Sequence, residues 1–317
     1  MKVLITGIAG FIGSHTAERL NVMGHKVVGI DNFSSYYDVQ IKRRTAQNLI
    51  SKGIEIIEAD LRTPITYETL DSDFDYVFHF AAQPGISAAV SFDEYFQNNV
   101  VGTQNLIEFL LHNNKTLQLF VNIATSSIYG KEAFYGEDKV PQPASNYGIS
   151  KLTAEQLVLF QAREEKLKAC SFRLYSVFGP RERPDKLYPK LIEAAYNGTS
   201  FSLFEGSEKH LRSFTFIDDI VDGIVSVIGK EDAVNKEVFN LGTEIESTTQ
   251  QGIDCVERLT GKKINTIIVP KRAGDQLRTQ TVIDKAREVL NYNPVTTLEV
   301  GIKKHIDWYL SNQSENV

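Results

Sequence analysis

Short apolar runs alternate along the chain with stretches of helical periodicity. Val3, Leu4 and Ile5 form a run suited to a strand buried on both faces. Gly7, Gly10 and Gly13 follow three residues apart. Thr16, Ala17, Leu20 and Met23 then recur at helical spacing until Gly24 closes the segment. That pattern predicts strand, glycine turn, helix. A second strand is predicted over 26–30, ending in Asp31-Asn32, and an amphipathic helix over 39–51. Further strands are predicted at 54–59, leading into Asp60-Leu61, at 76–80, leading into Ala81-Ala82-Gln83, at 117–124 and at 169–174. Helices are predicted over 92–112, containing Asn98-Asn99, from Ser145 to about 168, and over 298–310. Strands alternating with helices in this way predict an α/β fold with a doubly wound, mostly parallel sheet. Its ligand belongs at the carboxyl ends of the strands.

Composition narrows the picture. With 317 residues the chain has room for one large domain or two. Hydrophobic residues at 42% and charged residues at 23% match a globular protein. A net charge of -6 argues against nucleic acid as a partner, because that needs a basic footprint. No apolar run reaches the length of a membrane span, and the glycines after Ile5 do not fit a signal peptide. No membrane partner is expected. Cys170 and Cys255 lie far apart without metal-ligand spacing, so no metal site is predicted. Both are expected as free thiols in apolar cores, which points to the cytoplasm.

Candidate chemistry clusters at the predicted strand ends. A glycine turn before a helix lets a pyrophosphate approach bare amides at the helix's positive end. The spacing here is G-x-x-G-x-x-G rather than the strict dinucleotide fingerprint G-x-G-x-x-G. Asp31 stands where a carboxylate can accept hydrogen bonds from an adenosine ribose, and it would repel a 2′-phosphate, which favours NAD over NADP. Its bland alternative is a turn aspartate. Ala81 and Ala82 permit close approach of a flat ring or a ribose. His79 sits inside an apolar run and reads as a core histidine. Thr125, Ser126 and Ser127 gather hydroxyls at a strand end, although such residues also bond locally to backbone. Tyr147 and Lys151 are four apart and share a helical face. A cation beside a phenol is expected to lower its pKa from about 10 and so make a general base. Arg181 and Arg183 offer planar forks to an anion, or form a solvated charge pair.

These residues together resemble the extended short-chain dehydrogenases/reductases of the branch that acts on nucleotide sugars. The likeness rests on Gly7/Gly10/Gly13, Asp31-Asn32, Asp60-Leu61, Ala81-Ala82, Asn99, Thr125-Ser126-Ser127 and Tyr147/Lys151, and runs along nearly the whole chain. It implies a Rossmann-type domain over 1–175, with a return segment near 213–241, and a smaller substrate domain over most of 176–317. It implies NAD held by Gly7, Gly10, Phe11, Ile12, Gly13, Asp31, Asn32, Asp60, Leu61, Ala81, Ala82, Asn99, Tyr147 and Lys151. Catalysis falls to Tyr147, Lys151, Thr125, Ser126 and Ser127. The UDP-sugar falls to Thr125, Ser127, Ser176, Arg183, Arg212, Asp275 and Arg278. The chain departs from the family where Ser176 replaces a frequent Asn and where Ser213, not Asp, follows Arg212.

Related 4,6-dehydratases carry an Asp-Glu pair after the Thr, and UDP-glucuronate decarboxylases a Glu near the position of Ser127. Neither is present, which leaves a 4-epimerase that inverts C4 through a 4-keto sugar. The Thr125-Ser126-Ser127 triplet, Ser176 and the 181–185 loop most resemble bacterial UDP-glucuronate 4-epimerases, which form UDP-galacturonate, with Arg183 expected on the C6 carboxylate. A UDP-glucose or UDP-N-acetylglucosamine 4-epimerase is the alternative. An NAD-binding redox sensor without catalysis is the alternative outside enzymes. The resemblance also implies a homodimer through the two long helices.

Overall fold

The computed structural model describes residues 1–87, 89–271 and 278–314. The chain begins β1 (Lys2–Thr6), α1 (Phe11–Val22), β2 (Lys26–Asp31), α2 (Val39–Ser51), β3 (Glu55–Glu58), α3 (Ile65–Glu68) and β4 (Tyr76–His79). Then α4 (Phe92–Phe96) passes through a π turn at Gln97–Val101 into α5 (Gly102–Asn113), followed by β5 (Leu119–Thr125) and a 3-10 turn at Ser126–Tyr129. Next come β6 (Glu132–Ala133), α6 (Asn146–Arg163), β7 (Ala169–Leu174), β8 (Val177–Phe178), α7 (Leu187–Asn197) and β9 (Phe201–Phe204). The rest is β10 (Leu211–Arg212), β11 (Thr215–Phe216), α8 (Ile217–Val225), α9 (Glu231–Val234), β12 (Val238–Leu241), β13 (Ser247–Thr248), α10 (Thr249–Thr260), β14 (Thr266–Val269), β15 (Arg278–Thr279), α11 (Asp284–Leu290) and α12 (Leu298–Ser314).

Seven strands form one parallel sheet in the order β12-β7-β5-β4-β1-β2-β3. Its apolar strands are covered on both faces. In β1, Val3 and Ile5 enter one core cluster, while Leu4 enters the other with Val77 and Phe120. The first cluster continues through Phe178, Tyr188 and Leu191, so the sheet and the smaller C-terminal layer share one core. From β1 the chain winds outward to β2 and β3, then returns to β4 and winds the other way. This reversal places a crevice at the carboxyl ends of β1 and β4. The chain also comes back late: α8 packs on α1, and β12 adds the last strand beside β7. A small sheet ordered β13-β10-β15-β6 lies beyond.

Local chemistry explains the main boundaries. Asp38 caps α2 by accepting from the Gln40 amide at 2.9 Å. Ser145 caps α6 by accepting from the Gly148 amide at 3.1 Å. The helix ends at Arg163, before Glu165 adopts a left-handed φ of 57°, short of the predicted 168. His79 is fully buried between the Thr6 and Thr103 hydroxyls, at 2.7 and 2.8 Å, and burial pushes it down to about 3. It is a neutral core histidine. Cys170 and Cys255 are free and buried. Among the described residues, no helix is long and apolar enough to cross a membrane, and no group of three or more His, Cys, Asp or Glu could hold a metal ion.

Candidate active site

A cleft of about 530 Å³ opens at the strand ends and runs from the glycine turn across to α7 and Arg212. Its near end is built by β1 and α1. Gly7 takes φ 71° and donates its amide to the Ile30 carbonyl at 2.7 Å. A Cβ at Gly7 would lie 2.8 Å from the Ala81 amide nitrogen, and one at Gly13 would lie 2.4 Å from the Gly7 carbonyl oxygen. No side chain caps α1, so the first-turn amides beside Phe11, Ile12 and Gly13 are left to the cleft that these residues line. Gly13→Ala is therefore expected to push the turn off the helix and to weaken NAD binding at least tenfold. Calorimetric titration of the purified variant with NAD measures this, and unchanged affinity would contradict the packing argument.

Asp31 is buried at the end of β2. Its carboxylate accepts from the Ala9 amide at 3.0 Å and the Phe33 amide at 2.9 Å, and still lines the cleft. Burial raises its pKa, against the pull of those amides and of Lys42. Asn32 donates to Asp60 at 3.0 Å, and Arg62 holds the Asp60 carboxyl down to about 2. Asn32, Asp60, Leu61, Ala81 and Ala82 all border the cleft. Asn99 does not. Its amide is consumed by the Gln83 backbone, at 2.6 and 3.2 Å, and by the Ser150 hydroxyl at 2.9 Å. It ties the cleft floor to the residue before Lys151.

At the centre, Thr125, Ser126, Ser127, Tyr147, Lys151 and Ser176 all line the cleft. Thr125 accepts from the Ser127 amide and donates to its hydroxyl, both at 3.2 Å, which sets the turn after β5. Tyr147 stands against Tyr95, ring centroids 6.0 Å apart. The expected drop in the phenol's pKa is not found. Burial pushes the Tyr147 phenol up, while the Thr125 hydroxyl and the Arg183 charge pull against it. Burial also brings Lys151 down to about 8. Burial desolvates both groups, and Thr125 and Arg183 are the side chains that pull towards a phenolate.

Arg183 is buried in the cleft wall. Its Nε and Nη2 both donate to the Asp185 carboxylate at 2.9 Å, and its guanidinium lies over the Tyr36 ring at 5.0 Å. Arg181 points away and pairs with Glu18 on α1, so the two arginines do not form one clamp. Arg212 lines the cleft; Arg278 does not, because Glu246 engages it at 2.8 and 2.7 Å. Asp275 lies outside the described residues. The sequence reading passed over Tyr36, Lys42, Gln83, Glu182 and Lys186, which also border the cleft. Only the aromatic pair Tyr36-Tyr37 in a polar loop just after Asp31-Asn32 could have flagged the first.

The strand order and this cleft place the chain in a class: enzymes that hold a dinucleotide across a doubly wound sheet. Comparison supplies the family. Residues 3–242 match the NAD dependent epimerase/dehydratase family, and the chain belongs to it. It is similar to UDP-glucuronate 4-epimerase 1 of Arabidopsis thaliana, 33% identical over 336 residues, covering 100% of this chain and 78% of the relative. It is equally similar to an uncharacterised UDP-glucose epimerase of Bacillus subtilis, 33% identical over 317 residues and 98% of both chains. The crystal structure of UDP-glucuronic acid 4-epimerase from Bacillus cereus in complex with UDP-glucuronic acid and NAD matches with a TM-score of 0.92 at 32% identity. That match covers 98% of this chain and 100% of the other.

NAD is the cofactor of this family, and the cleft fits it. The uncapped α1 amides suit its pyrophosphate, and Asp31 its adenosine ribose. Gln83 offers a buried amide nitrogen with no protein partner.

Proposed function

We propose that this protein is an NAD-dependent UDP-glucuronate 4-epimerase that forms UDP-galacturonate. The observation that carries the reading is Arg183, a buried guanidinium whose charge acts on the Tyr147 phenol, in a wall that also holds Thr125, Ser127 and Ser176. Tyr147 takes the proton of the sugar's C4 hydroxyl, with Thr125 favouring the ionised phenol. When bound, NAD supplies the acceptor for the C4 hydride and gives it back. The keto sugar turns over in the cleft, and Tyr147 returns the proton to the inverted alcohol. No carboxyl group follows Thr125 to drive elimination, since Ser126 and Ser127 are hydroxyls.

A uronate needs a further safeguard. Its 4-keto form is a β-keto acid and loses carbon dioxide when the carboxylate bond aligns with the ketone π system. Arg183 with Ser127 and Ser176 would hold the carboxylate out of that alignment. The Arabidopsis and Bacillus cereus relatives support this substrate. A UDP-glucose 4-epimerase is the second reading, favoured by Asp185, which already neutralises one edge of Arg183. Side-by-side turnover of UDP-glucuronate and UDP-glucose decides: equal or faster turnover of UDP-glucose removes the uronate assignment.

A homodimer in the cytoplasm fits the same reading. Phe92 and Phe96 of α4 and Ile149 and Phe160 of α6 are 47%, 38%, 42% and 45% exposed on two neighbouring helices. Such a patch suits a second copy of the chain. Free buried thiols at Cys170 and Cys255 suit a reducing compartment. Phe96→Asp with Phe160→Asp is expected to halve the mass measured by light scattering, and an unchanged mass would place the interface elsewhere.

A further inference from the structure

The loop between β8 and α7 brings a second cation to the place where Arg183 meets the cleft. Gly85 turns there with a left-handed φ of 82°. A Cβ built on it would lie 3.2 Å from Arg183 Nη2, 3.6 Å from Nη1 and 3.8 Å from Lys186 Nζ. The end-on edge of the guanidinium and the ammonium of the lysine therefore converge on one point. Gly85, Arg183 and Lys186 all line the cleft, and glycine puts no side chain of its own between the two cations. The same spot is tied to the reacting centre. The Gly85 carbonyl accepts from the Tyr95 hydroxyl at 2.6 Å, and the Tyr95 ring stands 6.0 Å from that of Tyr147. A uronate carries its carboxylate carbon two bonds from C4, so a C4 hydroxyl at Tyr147 brings the carboxylate into this neighbourhood.

Arg183 alone is poorly supplied for such a ligand. Its Nε and Nη2 donate to Asp185 at 2.9 Å, and Nη1 donates to the Pro84 carbonyl at 3.4 Å. A guanidinium shared in this way keeps only part of its fork for a carboxylate, which has two oxygens to satisfy. Lys186 brings further donors to the same point. Of the two acids in this loop, Asp185 is half exposed and bound to Arg183. Burial pushes the Glu182 carboxyl up, towards its neutral form, so the loop keeps positive charge towards the cleft.

We propose that Lys186 is a specificity-determining residue for a uronate: its ammonium and the end-on edge of Arg183 together take the two oxygens of the C6 carboxylate at Gly85. The inference rests on the uronate reading above and adds a second cation to it.

The test is steady-state turnover of UDP-glucuronate and UDP-glucose by the full-length wild type, Lys186→Met and Lys186→Arg, with UDP as a competing inhibitor. The Lys186 side chain makes no capping bond to α7, so the substitutions leave the start of that helix in place. Lys186→Met is expected to raise KM for UDP-glucuronate about tenfold with kcat within about twofold, as for binding energy lost equally from ground and transition state. KM for UDP-glucose and inhibition by UDP should stay within about twofold of wild type. Lys186→Arg keeps the charge and should bring KM for UDP-glucuronate back to within about threefold. An unchanged KM for UDP-glucuronate in Lys186→Met overturns the proposal. An equal loss on UDP-glucose or UDP also overturns it, by putting the ammonium on the diphosphate. A loss that Lys186→Arg does not restore marks a structural role and overturns it as well. A wild type that leaves UDP-glucuronate untouched fails the uronate reading itself, before any variant is compared.

Discussion

Tyr147→Phe is expected to lower kcat by about 10³-fold or more while NAD binding stays within a few fold of wild type. On the proposed reading, the phenol, which lines the cleft, takes the proton from the sugar hydroxyl. Thr125, Ser126 and Ser127 beside it titrate far above neutrality, so they cannot replace it. Phenylalanine keeps the ring against Tyr95 and leaves the glycine turn, Asp31 and the α1 amides untouched. The expected signature is thus a loss in kcat with little change in KM for the UDP-sugar, as befits a group acting in the transition state. Steady-state kinetics and NAD calorimetry on one preparation measure both halves. More than a tenth of wild-type kcat would show that another group is the base.

Arg183→Met should separate the two candidate sugars. For UDP-glucuronate, kcat/KM is expected to fall by about 30- to 5,000-fold, the range for removing one partner of a buried, hydrogen-bonded charge pair. For UDP-glucose the loss should stay under about tenfold. That smaller part reflects the phenol, which loses the cation that pulls its pKa down. Asp185 is half exposed, so water can solvate it once its partner is gone, and the fold should tolerate the change. Carbon dioxide release per turnover of UDP-glucuronate should rise, because the carboxylate is no longer held out of line with the C4 ketone. Equal losses on both sugars, with no extra carbon dioxide, would mean that Arg183 serves the phenol and not a uronate.

Much of the cofactor side was legible because it depends on local rules. The apolar run of β1, the glycine spacing and the α2 periodicity each act over a few residues, and α2 runs over the predicted residues 39–51. The long helix over 92–112 was legible as a helix but not as one with a π turn, since Asn98-Asn99 does not break the apolar pattern. The small sheet of β6, β10, β13 and β15 was not legible at all. Two-residue strands carry no period, and their pairing comes from distant segments. The substrate side fared less evenly. Arg183 and Arg181 look alike two positions apart, yet a left-handed φ of 66° at Arg181 helps send one to Glu18 on α1 and the other into the cleft. Asn99 and Arg278 matched family positions, but their side chains are engaged by Gln83 and Glu246. The direction of the Tyr147 shift also escaped the sequence, because desolvation depends on the whole wall around a group and not on its helical neighbour.

The most direct measurement is product analysis by NMR and mass spectrometry after incubating the enzyme with UDP-glucuronate carrying deuterium at C4. The account predicts a mixture of UDP-glucuronate and UDP-galacturonate, both with deuterium kept on C4, and no carbon dioxide. Deuterium lost to solvent, or a UDP-pentose in place of the inverted uronate, would contradict it.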